Sequence, residues 1–159
     1  TRGLKMKIAI ENLNRVKTIK QFTHKKLAEK TGYSRHSIQK LFSYHKNSKT
    51  RLDLVVTVCK ALDIDFPSIF DRKTENHYGH FMFSDDSVNA LGTEYYLRNF
   101  VNRVQLEIKN SPRYSLKITT GLSESTISDL LNFKTRNPRV ETLLKIAEGL
   151  NISISEMFR

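Results

Sequence analysis

At 159 residues, 38% hydrophobic and 27% charged, the chain has the size for one medium domain or two small ones and the composition of a soluble globular protein. The lone Cys excludes an internal disulfide framework and a multi-cysteine zinc site and fits a reducing cytosol. No apolar run approaches the roughly 18 residues of a membrane span, and the first residues lack the apolar core of a signal peptide. The net charge of +11 lies wholly in the first half: residues 1–73 hold 17 Lys and Arg against 6 Asp and Glu, and residues 74–159 hold 10 against 10. Such a one-sided excess attracts polyanions, nucleic acid above all.

The spacing of apolar residues predicts a first helix over about 7–20, with Ile10, Leu13 and Val16 facing inward. Thr23 is the expected N-cap of a second helix, about 24–30, ended by Gly32, where a left-handed backbone is needed. Ser34 caps a third helix, about 35–44, that turns Ile38 and Leu41 to one side. A polar loop, Lys46-Asn47-Ser48-Lys49-Thr50, leads to a fourth helix over about 51–62, with Leu52, Val55, Val58, Cys59 and Leu62 as its buried stripe. Asp65 caps a last short helix that ends at Phe70. Residues 73–92 read as a connector whose stretch Tyr78 to Phe83 is strand-like or packs on a neighbour, and Asp85-Asp86 face solvent.

The pattern then starts again. Thr93 is the expected N-cap of a helix reaching about Lys109, with Leu97, Val101, Val104 and Ile108 inward, and Ser111-Pro112 opens the next. Further helices are expected over about 124–132 and 139–149, and Ser153 to Glu156 is a capping box opening the final turn. Leu27, Thr31, Gly32, Ser34, Ile38 and Leu41 recur as Leu116, Thr120, Gly121, Ser123, Ile127 and Leu130, 89 residues on. Arg51, Leu62, Ile64 and Phe70 recur as Arg139, Leu150, Ile152 and Phe158, 88 on. The order of the matches makes this an internal repeat, with the length changes in loops.

Two stretches carry the resemblance: Leu27 to Ser34 with Ile38, and Thr120 to Ser123 with Ile127 followed by Asn137 to Ala147. With them the chain resembles the Cro/cI-type (XRE) helix-turn-helix family of phage and bacterial regulators. The resemblance implies an all-α fold of two tandem five-helix, lambda-repressor-like domains, over 1–72 and 93–159, joined by the connector 73–92. One position departs from the family pattern, since the small residue at Ala28 is Lys117 in the second copy.

In this family the third helix enters the major groove and the second crosses the backbone. Arg35, His36 and Lys40 fall on the base-reading positions, with Ser37 and Gln39 beside them. Arginine can bond guanine O6 and N7 bidentately, and Gln39 can bond adenine. The matching positions of the second copy are Glu124, Ser125 and Asp129, with Thr126 and Ser128 as further donors. Phosphate contacts are expected from His24, Lys25, Lys46, Asn47, Lys49 and Arg51, and from Arg113, Lys134, Arg136, Asn137 and Arg139.

The reading is therefore a sequence-specific binder of double-stranded DNA, without cofactor or metal and not an enzyme. Transcriptional regulation or repression in a bacterium, phage or mobile element is the expected role, in the cytoplasm. DNA binding as an accessory factor near a plasmid or conjugative transfer origin is the alternative at the same residues. The chain is expected to act as an internal dimer on two unlike half-sites, or as a homodimer. The second copy reads a different half-site or serves dimerisation or a protein partner. His77 and His80 lack further ligands at a zinc-site spacing, and Cys59 sits on a core stripe.

Overall fold

The computed structural model describes residues 2–43, 49–72, 91–109 and 113–159, without the side chains of Arg2, Arg113 and Tyr114. All described elements are helical. They are α1 (Arg2–Ile19), α2 (His24–Thr31), α3 (Arg35–Phe42), α4 (Leu52–Ala61), a 3₁₀ turn (Phe66–Phe70), α5 (Thr93–Ile108), α6 (Arg113–Thr120), α7 (Glu124–Leu131), α8 (Val140–Leu150) and α9 (Ile154–Met157). The strand-like stretch expected over 78–83, the Asp85-Asp86 pair and the Ser111-Pro112 helix start lie outside the described residues.

Local chemistry sets the helix ends, and it does so twice. Thr31 Oγ1 donates to Leu27 O at 2.7 Å and accepts from Tyr33 N at 3.2 Å. Thr120 Oγ1 repeats both bonds, to Leu116 O and from Leu122 N, at the same 2.7 and 3.2 Å. Gly32 and Gly121 follow at φ 79° and 71°, a region that costs a side chain about 1–2 kcal/mol. Ser34 and Ser123 then cap α3 and α7, accepting from Ser37 N and Thr126 N. The bond Gly121 N to Lys117 O matches Gly32 N to Ala28 O, so Lys117 does stand at the position of Ala28. It is exposed, whereas Ala28 packs partly buried against the core.

Three ends differ from expectation. Helix α1 begins five residues before position 7, and buried Met6 continues the inward stripe into the added turn. Gly92, not Thr93, is the N-cap of α5, and the Thr93 hydroxyl instead donates to Asp53 Oδ1 at 2.7 Å. Asp65 stands at the N-cap of the 3₁₀ turn without bonding a backbone N–H there. Its Oδ2 accepts from Ser68 Oγ at 2.5 Å and from Arg159 at 2.9 Å.

The two halves share one buried core. Helix α1 packs on α8, α5 packs on α4, and α9 packs on the 3₁₀ turn. Phe158 is the hub, its ring 4.8 Å from Phe66, 5.4 Å from Phe100 and 6.3 Å from Phe70, its own repeat mate. Arg51 and Arg139 face each other in an antiparallel bridge. Around it Leu52 N donates to Pro138 O and Val140 N donates to Thr50 O, each at 2.9 Å. Every residue of one bond is the repeat mate of a residue of the other, so the exchange is reciprocal.

Candidate nucleic-acid interface

Helix α3 buries Ile38, Leu41 and Phe42, which fixes its rotation. Arg35, His36, Gln39 and Lys40 are left exposed. His36, Gln39, Lys40 and Ser43 line an open groove of about 420 Å³. Ser37 is half-buried, and its hydroxyl accepts from Ser34 Oγ at 2.9 Å, which ties it to the cap.

Helix α7 is held the same way, by buried Ile127, Leu130 and Leu131. Glu124, Ser125 and Thr126 are exposed, and Ser128 and Asp129 are half-buried. Ser125 and Thr126 hydroxyls lie 3.2 and 2.8 Å from Ser123 Oγ, and Ser128 Oγ accepts from Asn132 at 3.1 Å. The polar face of α7 is thus partly consumed by its own cap, while that of α3 carries extended cationic and amide groups.

The expected phosphate-contacting residues divide. Lys25, Lys49, Lys134, Arg136 and Arg139 are exposed. Lys46, Asn47 and the Arg113 side chain lie outside the described residues. Arg51 is exposed at the bridge and donates to Asn137 O at 2.9 Å. Asn137 is half-buried, and its Oδ1 accepts from Asp53 N at 2.9 Å. Helix α4 has no side-chain cap of its own at Arg51, so Asn137 supplies one from the other half.

His24 is half-buried and stacks on Phe42, ring centroids 5.6 Å apart. Burial lowers its pKa from the ordinary 6.5, and the positive charges of Lys17 and Arg35 add to the effect. Between the lowered value and 6.5 the unfolded chain takes up a proton that the folded chain does not. This imidazole therefore contributes its full stability above pH 6.5 and loses it as pH falls through that window. A His24→Gln variant is expected to show a smaller loss of thermal stability below pH 6.5 than the unmodified chain, read by circular dichroism.

One arrangement was not anticipated from the sequence. Asp53 accepts from the Tyr33 phenol and from Thr93, and its own N–H donates to Asn137. The Tyr33 pKa is pushed up to about 12 by burial, by the bond to Asp53 and by that carboxylate's charge. The signal lay in the repeat itself, because the mates of Tyr33, Asp53, Thr93 and Asn137 are Leu122, Glu141, Lys5 and Lys49.

Burial pushes the Cys59 thiol far up, which keeps it a core thiol. Among the described residues no three His, Cys, Asp or Glu side chains converge as metal ligands would. No described helix is long and apolar enough to cross a membrane.

Residues 103–159 match the sequence profile of the Cro/C1-type HTH DNA-binding domain. That segment is therefore similar to a helix-turn-helix DNA-binding domain. The matched segment runs from within α5 to the C-terminal residue and includes the pair α6–α7 and its turn. No curated protein and no solved structure matches the chain.

Proposed function

We propose that the chain is a sequence-specific regulator of transcription built from two tandem Cro/C1-type units, 1–72 and 93–159, linked by 73–92, that binds duplex DNA as a covalent pseudo-dimer. The observation that carries this reading is the reciprocal exchange Leu52 N to Pro138 O and Val140 N to Thr50 O. A self-complementary contact between repeat mates is what a twofold axis produces in a dimer. Operators mirror such an axis, with recognition helices meeting grooves roughly 34 Å apart.

In this arrangement α3 and α7 are the readers. Arg35, His36, Ser37, Gln39 and Lys40 address one half-site, and Glu124, Ser125, Thr126, Ser128 and Asp129 the other. Lys25, Lys49, Lys134, Arg136 and Arg139 hold the phosphates, with Arg51 and Arg139 nearest the axis. The two reading faces differ in charge, so the preferred site is two unlike half-sites rather than a palindrome. No cofactor takes part, and the role is that of a repressor or regulator in the cytoplasm of a bacterium or its mobile elements. Use near a plasmid or conjugative transfer origin engages the same residues and differs only in where the site lies.

A second reading is favoured by Glu124 and Asp129 on α7 and by Ile118 on α6, 64% exposed. It makes the second unit a dimerisation or partner-binding module. Removing 93–159 does not separate the readings, because it would bare Phe66 and Phe70. Selection of bound sequences from a random duplex pool by the full chain does. One chain protecting two unlike half-sites supports the first reading. A symmetric operator occupied by two chains overturns it.

A further inference from the structure

We propose that Asp53 is a positioning residue that fixes the distance between the two recognition helices and so sets the spacing of half-sites the chain accepts. The proposal rests on the two-reader function above. It comes from a juxtaposition the repeat does not contain.

Asp53 sits in the first turn of α4 and joins four segments. Its Oδ2 accepts from the phenol of Tyr33, which lies in the turn between α2 and α3. Its Oδ1 accepts from Thr93 Oγ1 at 2.7 Å, at the start of α5. Its N–H donates at 2.9 Å to Asn137, in the loop before α8. All four residues are half-buried. Hydrogen bonds to a charged acceptor in such surroundings are about twice as strong as neutral ones. The turn that launches α3 is therefore fastened through one carboxylate to the start of α5 in the second half, and the backbone N–H of the same residue holds the loop before α8.

The mates do not reproduce this. Leu122 has no hydroxyl to donate, and Lys49 has no oxygen to accept as Asn137 does. Glu141 lies 4.0 Å from Lys145 on its own helix. The clamp is one-sided: it holds the basic reader, α3, against the second half. The main-chain exchange at Leu52 and Val140 joins the halves close to their axis. The shared core around Phe158 joins them as well. The side-chain contacts of Asp53 add a tie from the α2–α3 turn itself to α5.

The test uses the full chain and duplexes carrying the two selected half-sites at the selected spacing, at one base pair more and at one base pair less. A duplex with only the α3 half-site is the control. The unmodified chain is expected to prefer the selected spacing by about tenfold or more, since a one-base-pair change also rotates one half-site about the duplex. Tyr33→Phe combined with Thr93→Val removes two hydroxyl donors and leaves the fold's packing in place. That variant is expected to prefer the selected spacing by no more than about threefold, while its binding to the single half-site is unchanged. Asp53→Ala should do the same, and if it fails to fold the double variant carries the test. A folded double variant that keeps the full spacing preference overturns the clamp alone. An unmodified chain with no spacing preference overturns the two-reader function and the clamp with it.

Discussion

Phe158→Ala is expected to lower the stability of the whole chain by about 3–5 kcal/mol, the usual cost of emptying a buried phenylalanine site. Phe158 is fully buried, and Asn99 Nδ2 donates to its carbonyl at 2.9 Å. Arg159 then reaches Asp65 at 2.9 Å, across to the first half. The ring meets Phe66 and Phe70 from the first half and Phe100 and Tyr96 from the second. Edge and offset aromatic pairs each add about 0.5–1.5 kcal/mol beyond area burial. None of these neighbours can close over the void without leaving its other contacts, so the cost falls on both halves. Denaturant unfolding followed by circular dichroism is expected to give one transition, moved to lower denaturant. Hydrogen exchange should lose protection in α3 and α7 together. Protection that survives in α3 after α7 has opened would show two separately folding units.

The repeat made much of this legible. Local rules placed the caps at Thr23, Ser34, Ser123 and Ser153, and the glycine turns at Gly32 and Gly121, because each depends on residues within four positions. The apolar stripe of α4 was legible for the same reason, since period and burial coincide. The joining of the halves was not. Thr93 reads as a cap by residue type, yet its partner, Asp53, lies 40 residues away. Asn137 reads as a phosphate ligand by family position, yet its side-chain oxygen faces Asp53 N, 84 residues away. His24 reads as a phosphate contact at the start of α2, and burial with neighbouring Lys17 and Arg35 lowers its pKa. For Thr93 and Asn137 the partner is a long-range neighbour, which one-dimensional spacing does not carry. Chemical differences between repeat mates were the trace it left. At the reading faces the same comparison separates α3, with Arg35 and Lys40, from α7, with Glu124 and Asp129.

That separation makes Arg35→Ala the most telling change for binding. Arg35 is the first residue of α3, exposed, on the helix whose rotation Ile38 and Leu41 fix. From the N-terminal turn of a groove-bound helix its guanidinium reaches base edges. A bidentate pair with guanine O6 and N7 is worth about 1–3 kcal/mol of discrimination. Arg35→Ala is therefore expected to relax preference at one base pair by about ten- to a hundredfold, with little change on random duplex. Lys49, exposed beside the bridge, is a proposed phosphate contact. Lys49→Ala should weaken selected and random duplexes alike and reduce the slope of log affinity against log salt by about one. Titrations of both variants on both duplexes, over a range of salt, separate base reading from phosphate contact. On the proposed two-reader arrangement the loss at Arg35 should concentrate on one position of the α3 half-site, because α7 carries a carboxylate, Glu124, at the equivalent place. Unchanged sequence preference in Arg35→Ala would remove α3 as the reader and shift the search to the exposed face of α7.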